Sequence, residues 1–518
     1  MDFRCPNCGD VYSGPLAPEP TTHLSVTRGT RHHTLLNTNE PPEDSELTFI
    51  HSVVSKTCIR LKHLDDEISK IQERLKQLED ERAALSSFRT RNKAILSPLR
   101  RMPPEVLSEI FSWTLLSVHD LVGITSFDMA ESPWFLTQIS SRWRAVSLST
   151  PSLWSRVVID HRSANAPALA LAETQVHRAQ KLHIHFYGSP EADSEPQIQM
   201  FELLLKHSSR WEDLSIGITP EMLPLLTALR DGIPSLKRVW IQWHDVDSSA
   251  VQSLDCFQTA PSLVDFGVYH EHHFISIAVP IQQLTRYHLN GPWQTHLTIL
   301  KLAENLVEAH ISVRFDYEFG ADKTEIITLP RLRRVCVSHV EALDYLKAPT
   351  LEGLAIWASD IVHHVESFLG RSECPLRSLC LRGSDAQTTA QILGKFTSIT
   401  ELALTVDQFD SQAEIDSLMS TLTSSKLAPQ LRSFFFGSED RRMDDHTLFL
   451  KMLRTRWETD GSALKDVALL LGMDFEPDAD TLGLLHALRL EGLNLRIQGG
   501  PMASKEIHSW FYSYSWIF

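Results

Sequence analysis

Residues 330–357 have the sequence PRLRRVCVSHVEALDYLKAPTLEGLAIW and contain one short pattern twice. The pattern is Pro-x-Leu-x-x-apolar-x-apolar, at Pro330/Leu332/Val335/Val337 and at Pro349/Leu351/Leu354/Ile356. Its last four positions alternate in polarity, which is the period of a β-strand. Each copy therefore predicts one strand, and the residues between copies supply a helix or a turn.

The pattern continues on both sides of this stretch. Nine further copies, some without the proline, lie at Trp211/Leu214/Ile216, Pro234/Leu236/Val239/Ile241, Pro261/Leu263/Phe266/Val268, Leu284/Tyr287/Leu289, Leu306/Ala309/Ile311, Leu376/Leu379/Leu381, Ile399/Leu402/Leu404, Leu431/Phe434/Phe436 and Leu464/Val467/Leu469. Successive copies are 19 to 33 residues apart, mostly 21 to 27, which brackets the leucine-rich repeat. We predict an irregular leucine-rich-repeat-like α/β solenoid over residues 159–518.

Two observations qualify this prediction. The Asn or Cys that is usual three residues after the last apolar position is absent, and His244, Glu271, Pro292 and Arg314 occupy that position. We therefore expect an irregular array without a ladder of buried amides. A doubly wound α/β domain is the alternative, but evenly spaced strands without a nucleotide-binding fingerprint favour the solenoid.

Strand alternation also predicts a binding surface. The residue between the two apolar positions, and the one after them, should point to the concave face. The first such column is Trp240, Gly267, His288, His310, Cys336, Ala355, Cys380, Ala403 and Phe435. The second is Gln242, Tyr269, Asn290, Ser312, Ser338, Trp357, Arg382, Thr405 and Gly437. We predict substrate contacts at Trp240, Tyr269, Trp357 and Arg382, and we expect His288 and His310 to lie side by side.

A different pattern precedes the repeats. Apolar residues alternate in steps of four and three at Ile50, Val54, Thr57, Leu61, Leu64, Ile68, Ile71, Leu75, Leu78, Arg82 and Leu85, with Thr57 and Arg82 as polar exceptions. This spacing is typical of a coiled-coil seam, so residues 46–95 are predicted to form one helix. The helix either joins a second copy or a hairpin partner, or lies on its own domain.

Residues 96–158 contain the most specific motif. Residues 97–111 are SPLRRMPPEVLSEIF, residues 139–146 are ISSRWRAV and residues 150–154 are TPSLW. The prolines and Glu105 suit a helix start, and Val106, Leu107, Ile110 and Phe111 share one face. The order of these motifs resembles the F-box, in the F-box-like subfamily abundant in fungi. With residues 203–211, LLLKHSSRW, the resemblance covers about residues 47–215. Met102, Ser140 and the lengthened gap at residues 117–135 depart from the family pattern.

The resemblance implies a role without catalysis. An F-box protein docks onto the Skp-type adaptor of a cullin-RING ubiquitin ligase, and its other domain holds the substrate protein. The positions implied for docking are Leu99, Pro103, Pro104, Leu107, Ile110 and Phe111. Trp143, Leu153 and Trp154 are expected to pack the core of the box. A coiled-coil and repeat scaffold outside any ligase is the alternative.

The remaining composition agrees with a protein-binding role. The net charge of −16 disfavours nucleic acid as a partner, and the longest apolar runs are too short for a bilayer. Seven scattered cysteines favour the cytosol or nucleus.

Residues 1–45 are predicted to be disordered; Cys5 and Cys8 could form half of a zinc site, but two free thiols are favoured. His270-Glu271-His272-His273 lacks the H-E-x-x-H spacing, so we expect no metal, cofactor or enzyme activity.

The last nine residues are rich in aromatic side chains: Trp510, Phe511, Tyr512, Tyr514, Trp516 and Phe518. A segment this apolar is unfavourable as a free tail. We predict that it covers the open end of the solenoid, as terminal repeats must.

Overall fold

The computed structural model describes residues 3–4, 11–12, 26–115, 129–161, 169–189, 191, 193–243, 253–270, 272–316, 319, 325–357, 361–406, 412–438, 447–459, 461–472 and 479–511. The chain divides into two compact units, residues 1–102 and residues 103–518. Cys5 and Cys8 lie outside the described residues.

Among its described residues, the first unit has a hairpin of two short strands, two α-helices and the 3₁₀ helix Pro98–Arg100. β1 (Phe3–Arg4) pairs antiparallel with β2 (Val11–Tyr12). α1 (Arg31–Asn37) begins where the Thr30 hydroxyl accepts a hydrogen bond from the His33 N–H at 3.3 Å. This helix lies inside the segment predicted to be disordered, and Arg31 ties it to Glu46 near the start of the next helix, at 3.2 Å.

α2 (Asp44–Ile95) is a single helix of 52 residues, about 78 Å long. It starts at a capping box in which the Glu43 N–H donates to the Glu46 carboxylate at 2.8 Å. Pro98 follows its end, where a proline disfavours further helix. The continuous helix predicted from the heptads is present, and most of its apolar seam is exposed, at Val54, Leu61, Leu64, Ile68, Ile71, Leu75, Leu78 and Leu85.

The second unit opens with a small group of helices, here called the short-helix unit. It comprises α3 (Pro104–Ser112), α4 (Leu136–Ile139), α5 (Ser141–Leu148) and the 3₁₀ helix Pro151–Trp154. α5 is capped by Ser140, whose hydroxyl accepts from the Trp143 N–H at 3.1 Å. The division between the two units falls just before this group and leaves Leu99 in the first unit.

A single parallel sheet of fourteen strands dominates the described part of the second unit. Its strands are β3 (Arg156–Asp160), β4 (Leu182–Tyr187), β5 (Trp211–Ile218), β6 (Arg238–Trp243), β8 (Asp265–His270), β10 (Arg286–Gly291), β11 (Glu308–Val313), β13 (Arg334–Val337), β15 (Gly353–Trp357), β16 (Ser378–Arg382), β17 (Glu401–Val406), β18 (Ser433–Ser438), β19 (Asp466–Leu471) and β20 (Asn494–Gly499). Two parallel pairs lie outside it: β7 (Ser253–Leu254) with β9 (Ser276–Ile277), and β12 (Ile327–Thr328) with β14 (Leu346–Lys347). Strand order in the large sheet follows chain order, unlike a doubly wound domain, whose strand order reverses at a switch point.

The connections between the strands differ from repeat to repeat. Ten helices belong to this part of the described chain: α6 (Leu169–Arg178), α7 (Ser194–Leu205), α8 (Leu223–Leu226), α9 (Trp293–Leu302), α10 (Val362–Ser372), α11 (Ala386–Lys395), α12 (Gln412–Leu422), α13 (Thr447–Glu458), α14 (Ala479–Leu490) and α15 (Pro501–Phe511). Short 3₁₀ helices occupy Ser208–Arg210, Pro220–Met222, Thr227–Leu229, Ile281–Gln283 and Val340–Tyr345. The shortest repeat, between β13 and β15, contains the 3₁₀ helix Val340–Tyr345 and the short strand β14.

The fold is therefore a mixed α/β structure built on a large parallel sheet, as the repeated pattern predicts. The eleven repeat copies all fall on strands of this sheet, and β3, β4 and β20 extend it at its two ends. None of the helices among the described residues combines the length and apolarity needed to cross a lipid bilayer.

The exposed seam of α2 gives a prediction about self-association. We expect the wild-type chain to sediment as an oligomer, and Ile68→Asp/Ile71→Asp to sediment as a monomer, because two charges in an apolar seam oppose helix pairing. Analytical ultracentrifugation measures both. Ser69→Asp/Gln72→Asp adds the same charge to exposed positions beside the seam and should leave the oligomer intact. A monomeric wild-type chain would contradict the prediction.

Candidate functional site on the sheet face opposite α13

The two faces of the large sheet are distinguished by three consecutive phenylalanines in β18. Phe434 and Phe436 contact Phe449 of α13, with ring centroids 6.3 Å and 6.2 Å away. Phe435 points to the other face, where its ring lies 5.8 Å from that of Trp510. We call this second surface the open face, since helices α10 to α14 form one continuous layer with α13 on the opposite side.

Strand register places the first predicted column on the open face. Trp240 pairs with Gly267, and Gly267 with His288. His288 pairs with His310, and the register continues through Cys336, Ala355, Cys380 and Ala403 to Phe435. The alternation rule therefore located this row correctly, strand by strand.

The first half of the column is aromatic and buried. A Cβ added to Gly267 would lie 2.6 Å from ring atoms of Trp240, so the indole lies flat across that glycine. The indole and the His288 ring form a T-shaped contact, with ring centroids 5.4 Å apart. His288 and His310 are stacked, with ring centroids 4.9 Å apart and planes 9° apart, as adjacent register positions predict.

Burial controls the charge of these histidines. Desolvation lowers the pKa of His288 well below its usual range, with His310 adding repulsion. Desolvation also lowers the pKa of His310 to about 3, and that of His296, on the helix side beneath Tyr287, to about 4. All three imidazoles are therefore neutral at physiological pH.

Two polar side chains of the second column bind backbone groups at the strand ends. The Asn290 amide accepts from the His270 N–H at 2.5 Å and donates to the His270 carbonyl at 2.6 Å. The Ser338 hydroxyl accepts from the Val313 N–H at 2.9 Å. His270 is itself buried, and among the described residues there is no cluster of His, Cys, Asp or Glu that could hold a metal ion. Glu271 lies outside the described residues.

The second half of the column is made of small residues. Cys336, Ala355, Cys380 and Ala403 form one buried cluster, against which Trp357, Phe435 and Trp510 pack. Burial raises the pKa of both thiols, so they are protonated at neutral pH. An activated cysteine nucleophile has the opposite shift.

The predicted substrate residues have different positions. Trp240 is only 6% exposed, so the prediction of a solvent-facing anchor is wrong: the missing side chain at Gly267 lets the indole lie down on the sheet. Tyr269 is half-buried. Trp357 and Arg382 are half-buried register neighbours, and the guanidinium lies 5.1 Å from the centre of the indole ring.

α15 covers part of the open face. Ala503 and Ile507 form a buried cluster with Ala468 and Leu470 of β19, and Trp510 packs against the same cluster. α15, which contains the described part of the aromatic tail, contacts the last strand, β20, as the predicted cap requires, and it also contacts β19, β18 and β15. The cap itself stays a prediction. Residues 512–518 lie outside the described residues. The spacing of Ala503, Ile507 and Trp510, one helix face, was the sequence signal for this contact.

A cavity of about 220 Å³ remains beside α15. Its lining includes the four small residues of the column together with Ser509 and Trp510. Arg286, Glu308, Arg334 and Glu401, at the start of their strands, form a charged rim. The open face therefore has a helix over one part and an apolar groove with a charged edge next to it.

The predicted docking residues divide between core and surface. Leu107 and Phe111 are fully buried, so their assignment as direct partner contacts is corrected; Phe111 packs against Trp143 at 4.8 Å. Pro103, Pro104 and Ile110 are exposed, as is Leu99 in the first unit. The sequence motif did not indicate Trp113, whose indole is 82% exposed beside Val106 and Ile110 at helical spacing.

The residues predicted to pack the core of the box join the helices to the sheet. Leu153 and Trp154 are buried, and Trp143 is half-buried. The Trp154 indole donates to the Ser147 carbonyl at 2.8 Å. Arg178 of α6 lies over the Trp154 ring at 4.3 Å, which ties the short-helix unit to the helix between β3 and β4.

Comparison of the chain with models of protein families found no match, and comparison with curated proteins found no significant match.

The contact between Gly267 and Trp240 gives a first prediction. Gly267→Ala should lower the free energy of unfolding by about 1–3 kcal/mol, because the new methyl group overlaps the indole. Urea denaturation measures the change. Gly353→Ala is the matched control: its Cβ would have ordinary contacts of 3.4 Å or more in a strand of the same sheet. Equal effects of the two substitutions would contradict the packing.

Because these histidines are neutral in the folded chain, we expect the free energy of unfolding to fall on acidification. The unfolded chain protonates them below about pH 6.5, whereas the folded chain binds these protons only at much lower pH. The free energy of unfolding should therefore drop by about 2 kcal/mol per histidine between about pH 6.5 and about pH 5. His288→Gln/His310→Gln should flatten this dependence in urea titrations. His363→Gln, at an exposed position of α10, should leave the slope unchanged; equal slopes in all three proteins would refute the explanation.

Proposed function

We propose that this chain is the substrate-recognition subunit of a Skp-cullin-F-box type ubiquitin ligase. In this proposal the short-helix unit is an F-box-like module and the large sheet is an irregular leucine-rich-repeat-like solenoid. The module binds the Skp-type adaptor, the open face binds a substrate protein, and ubiquitin transfer belongs to partner enzymes in the cytosol or nucleus.

The observation that carries the proposal is the exposed apolar surface of α3. Val106, Ile110 and Trp113 recur at four- and three-residue spacing and are exposed, while Leu107 and Phe111 on the adjacent face fill the core. Compact aromatic and aliphatic patches of this kind dominate the free energy of protein interfaces. Pro103 and Pro104 border this patch at the start of the helix and remain predicted contacts, together with Leu99.

Position in the chain supports the same assignment. The short-helix unit comes directly before β3, and the Trp154–Arg178 contact fixes it to α6, the helix that follows β3. A module that must hold a substrate at a set distance from a ligase requires such a rigid joint. Parallel repeats then extend the surface without changing the joint, because each strand contacts only its neighbours.

A coiled-coil scaffold outside any ligase is the second candidate. It is favoured by the exposed apolar seam of α2, which is unfavourable in water without a partner. Both candidates share the protein-binding role of the open face. Binding of a Skp-type adaptor separates them.

The test is co-expression with a Skp-type adaptor followed by affinity purification and binding titration. We expect a complex, and we expect Val106→Asp/Ile110→Asp to weaken it at least about tenfold, about 1.4 kcal/mol, because charges enter the apolar patch. Ser112→Asp adds a charge to an exposed position of the same helix and should bind as the wild type does. Circular dichroism establishes that each variant is folded.

Two results would contradict the proposal in different ways. A wild-type chain that fails to bind the adaptor would leave the scaffold candidate. Normal binding by Val106→Asp/Ile110→Asp would move the docking surface elsewhere. Tyr269→Ala/Trp357→Ala/Arg382→Ala is the complementary variant: it should keep adaptor binding and lose the co-purified substrate proteins.

A further inference from the structure

The last described helix lies on the opposite side of the sheet from the helix layer that precedes it. α10 to α14 contact one another in sequence on the side of Phe434 and Phe436. After β20 the chain turns at Gly500, whose φ of 72° is left-handed, and α15 follows on the open face. A further repeat would continue the helix layer; this segment instead occupies the surface that the columns form.

Specific contacts seat α15 on that surface. Ile507 and Trp510 lie over Gly437: a Cβ added there would be 2.7 Å and 3.2 Å from their side chains. Glu506 accepts two hydrogen bonds from the Arg496 guanidinium, at 2.8 Å and 3.1 Å. Since Arg496 pairs in register with Ala468, it belongs to the same column that α15 covers.

α15 does not fill the groove that it lies in. A cavity of about 220 Å³ remains beside Trp510 over Ala403, Cys380, Ala355 and Cys336, the cluster against which Trp510 packs. Small side chains on this floor let a helix approach the strands closely. Ala468 and Gly437 have the same effect beneath α15. A longer amphipathic helix could therefore cover both the footprint of α15 and the unfilled part.

We propose that α15 is an internal occupant of the open face, and that a protein partner binds by displacing it with an amphipathic helix of its own. The partner helix presents small and apolar residues at the spacing of Ala503, Ile507 and Trp510. The identification of this partner as the substrate rests on the proposed function, whereas the competition between the partner and α15 does not depend on it.

Helix energetics make the exchange favourable. An 11-residue helix is marginal in isolation, so α15 depends on its contacts with the sheet. A longer partner helix buries more apolar area along the same floor. Because α15 is attached to the chain, a competitor can bind only those molecules in which α15 has left the face. Its apparent affinity is the affinity for the vacant face multiplied by the fraction of such molecules.

The experiment uses the full chain and a fluorescent peptide of residues 500–511 as the probe. Anisotropy titration should show binding to the Ile507→Asp chain, whose own helix is dislodged by a buried charge, at least about tenfold tighter than to the wild-type chain. Met502→Asp makes the same change at an exposed position of α15 and should bind as the wild type does. Equal affinity for wild type and Ile507→Asp would overturn the proposal.

Two further arms establish where the peptide binds. Adding Gly437→Val to Ile507→Asp should abolish binding, because the new side chain fills the seat of Ile507. A probe that itself carries Ile507→Asp should bind neither chain; persistent binding in either arm would overturn the proposal.

Hydrogen exchange of the wild-type chain covers the case in which Ile507→Asp fails to fold. Excess unlabelled peptide should accelerate exchange in residues 501–511 and leave α13 unchanged. Unchanged exchange in residues 501–511 would count against displacement. Adaptor binding through α3 is measured separately, so failure of the ligase assignment and failure of this competition give different results.

Discussion

The structure depends on one constraint, the alternation of side chains between the two faces of a single parallel sheet. Strands that pair in chain order and in constant register convert each repeated position into a row across the sheet. Large apolar side chains such as Phe434 and Phe436 form the row that packs against helices. The positions between them form the open face, so both the core and the candidate site follow from the same register.

Side-chain size divides the open face into two regions. Trp240 lies across Gly267 and against the stacked imidazoles of His288 and His310, which closes the first region with the protein's own aromatic groups. From Cys336 to Ala403 the side chains are small, and a cavity lies over them beside Trp510 of α15. The open face of this one sheet is thus covered by the protein's own aromatic side chains in one region and forms a groove in the other.

Rigid joining distinguishes this arrangement from helices linked loosely to a repeat array. Trp154 is buried, bonds the Ser147 carbonyl and lies under Arg178 of the first helix that follows β3. The apolar surface of α3 is consequently held at a fixed place relative to the sheet. Fixed geometry between two binding surfaces is what a protein that brings two partners together requires, as a ligase subunit or as a scaffold.

The sequence by itself determined the eleven strands of the repeated pattern, their register and the long helix, because periods of 2 and 3.5 residues specify which residues share a face. His288 beside His310 and Trp357 beside Arg382 followed from counting alone. Only the tertiary structure decided which of those side chains reach solvent. Trp240 is buried because a neighbouring strand has a glycine opposite it, and Leu107 and Phe111 are buried because α5 packs on their side of α3. The position of α15 was likewise decided by the tertiary structure. Its apolar spacing showed that it must pack, but only the folded sheet brings Gly437 of β18 and Ala468 of β19 together beneath it.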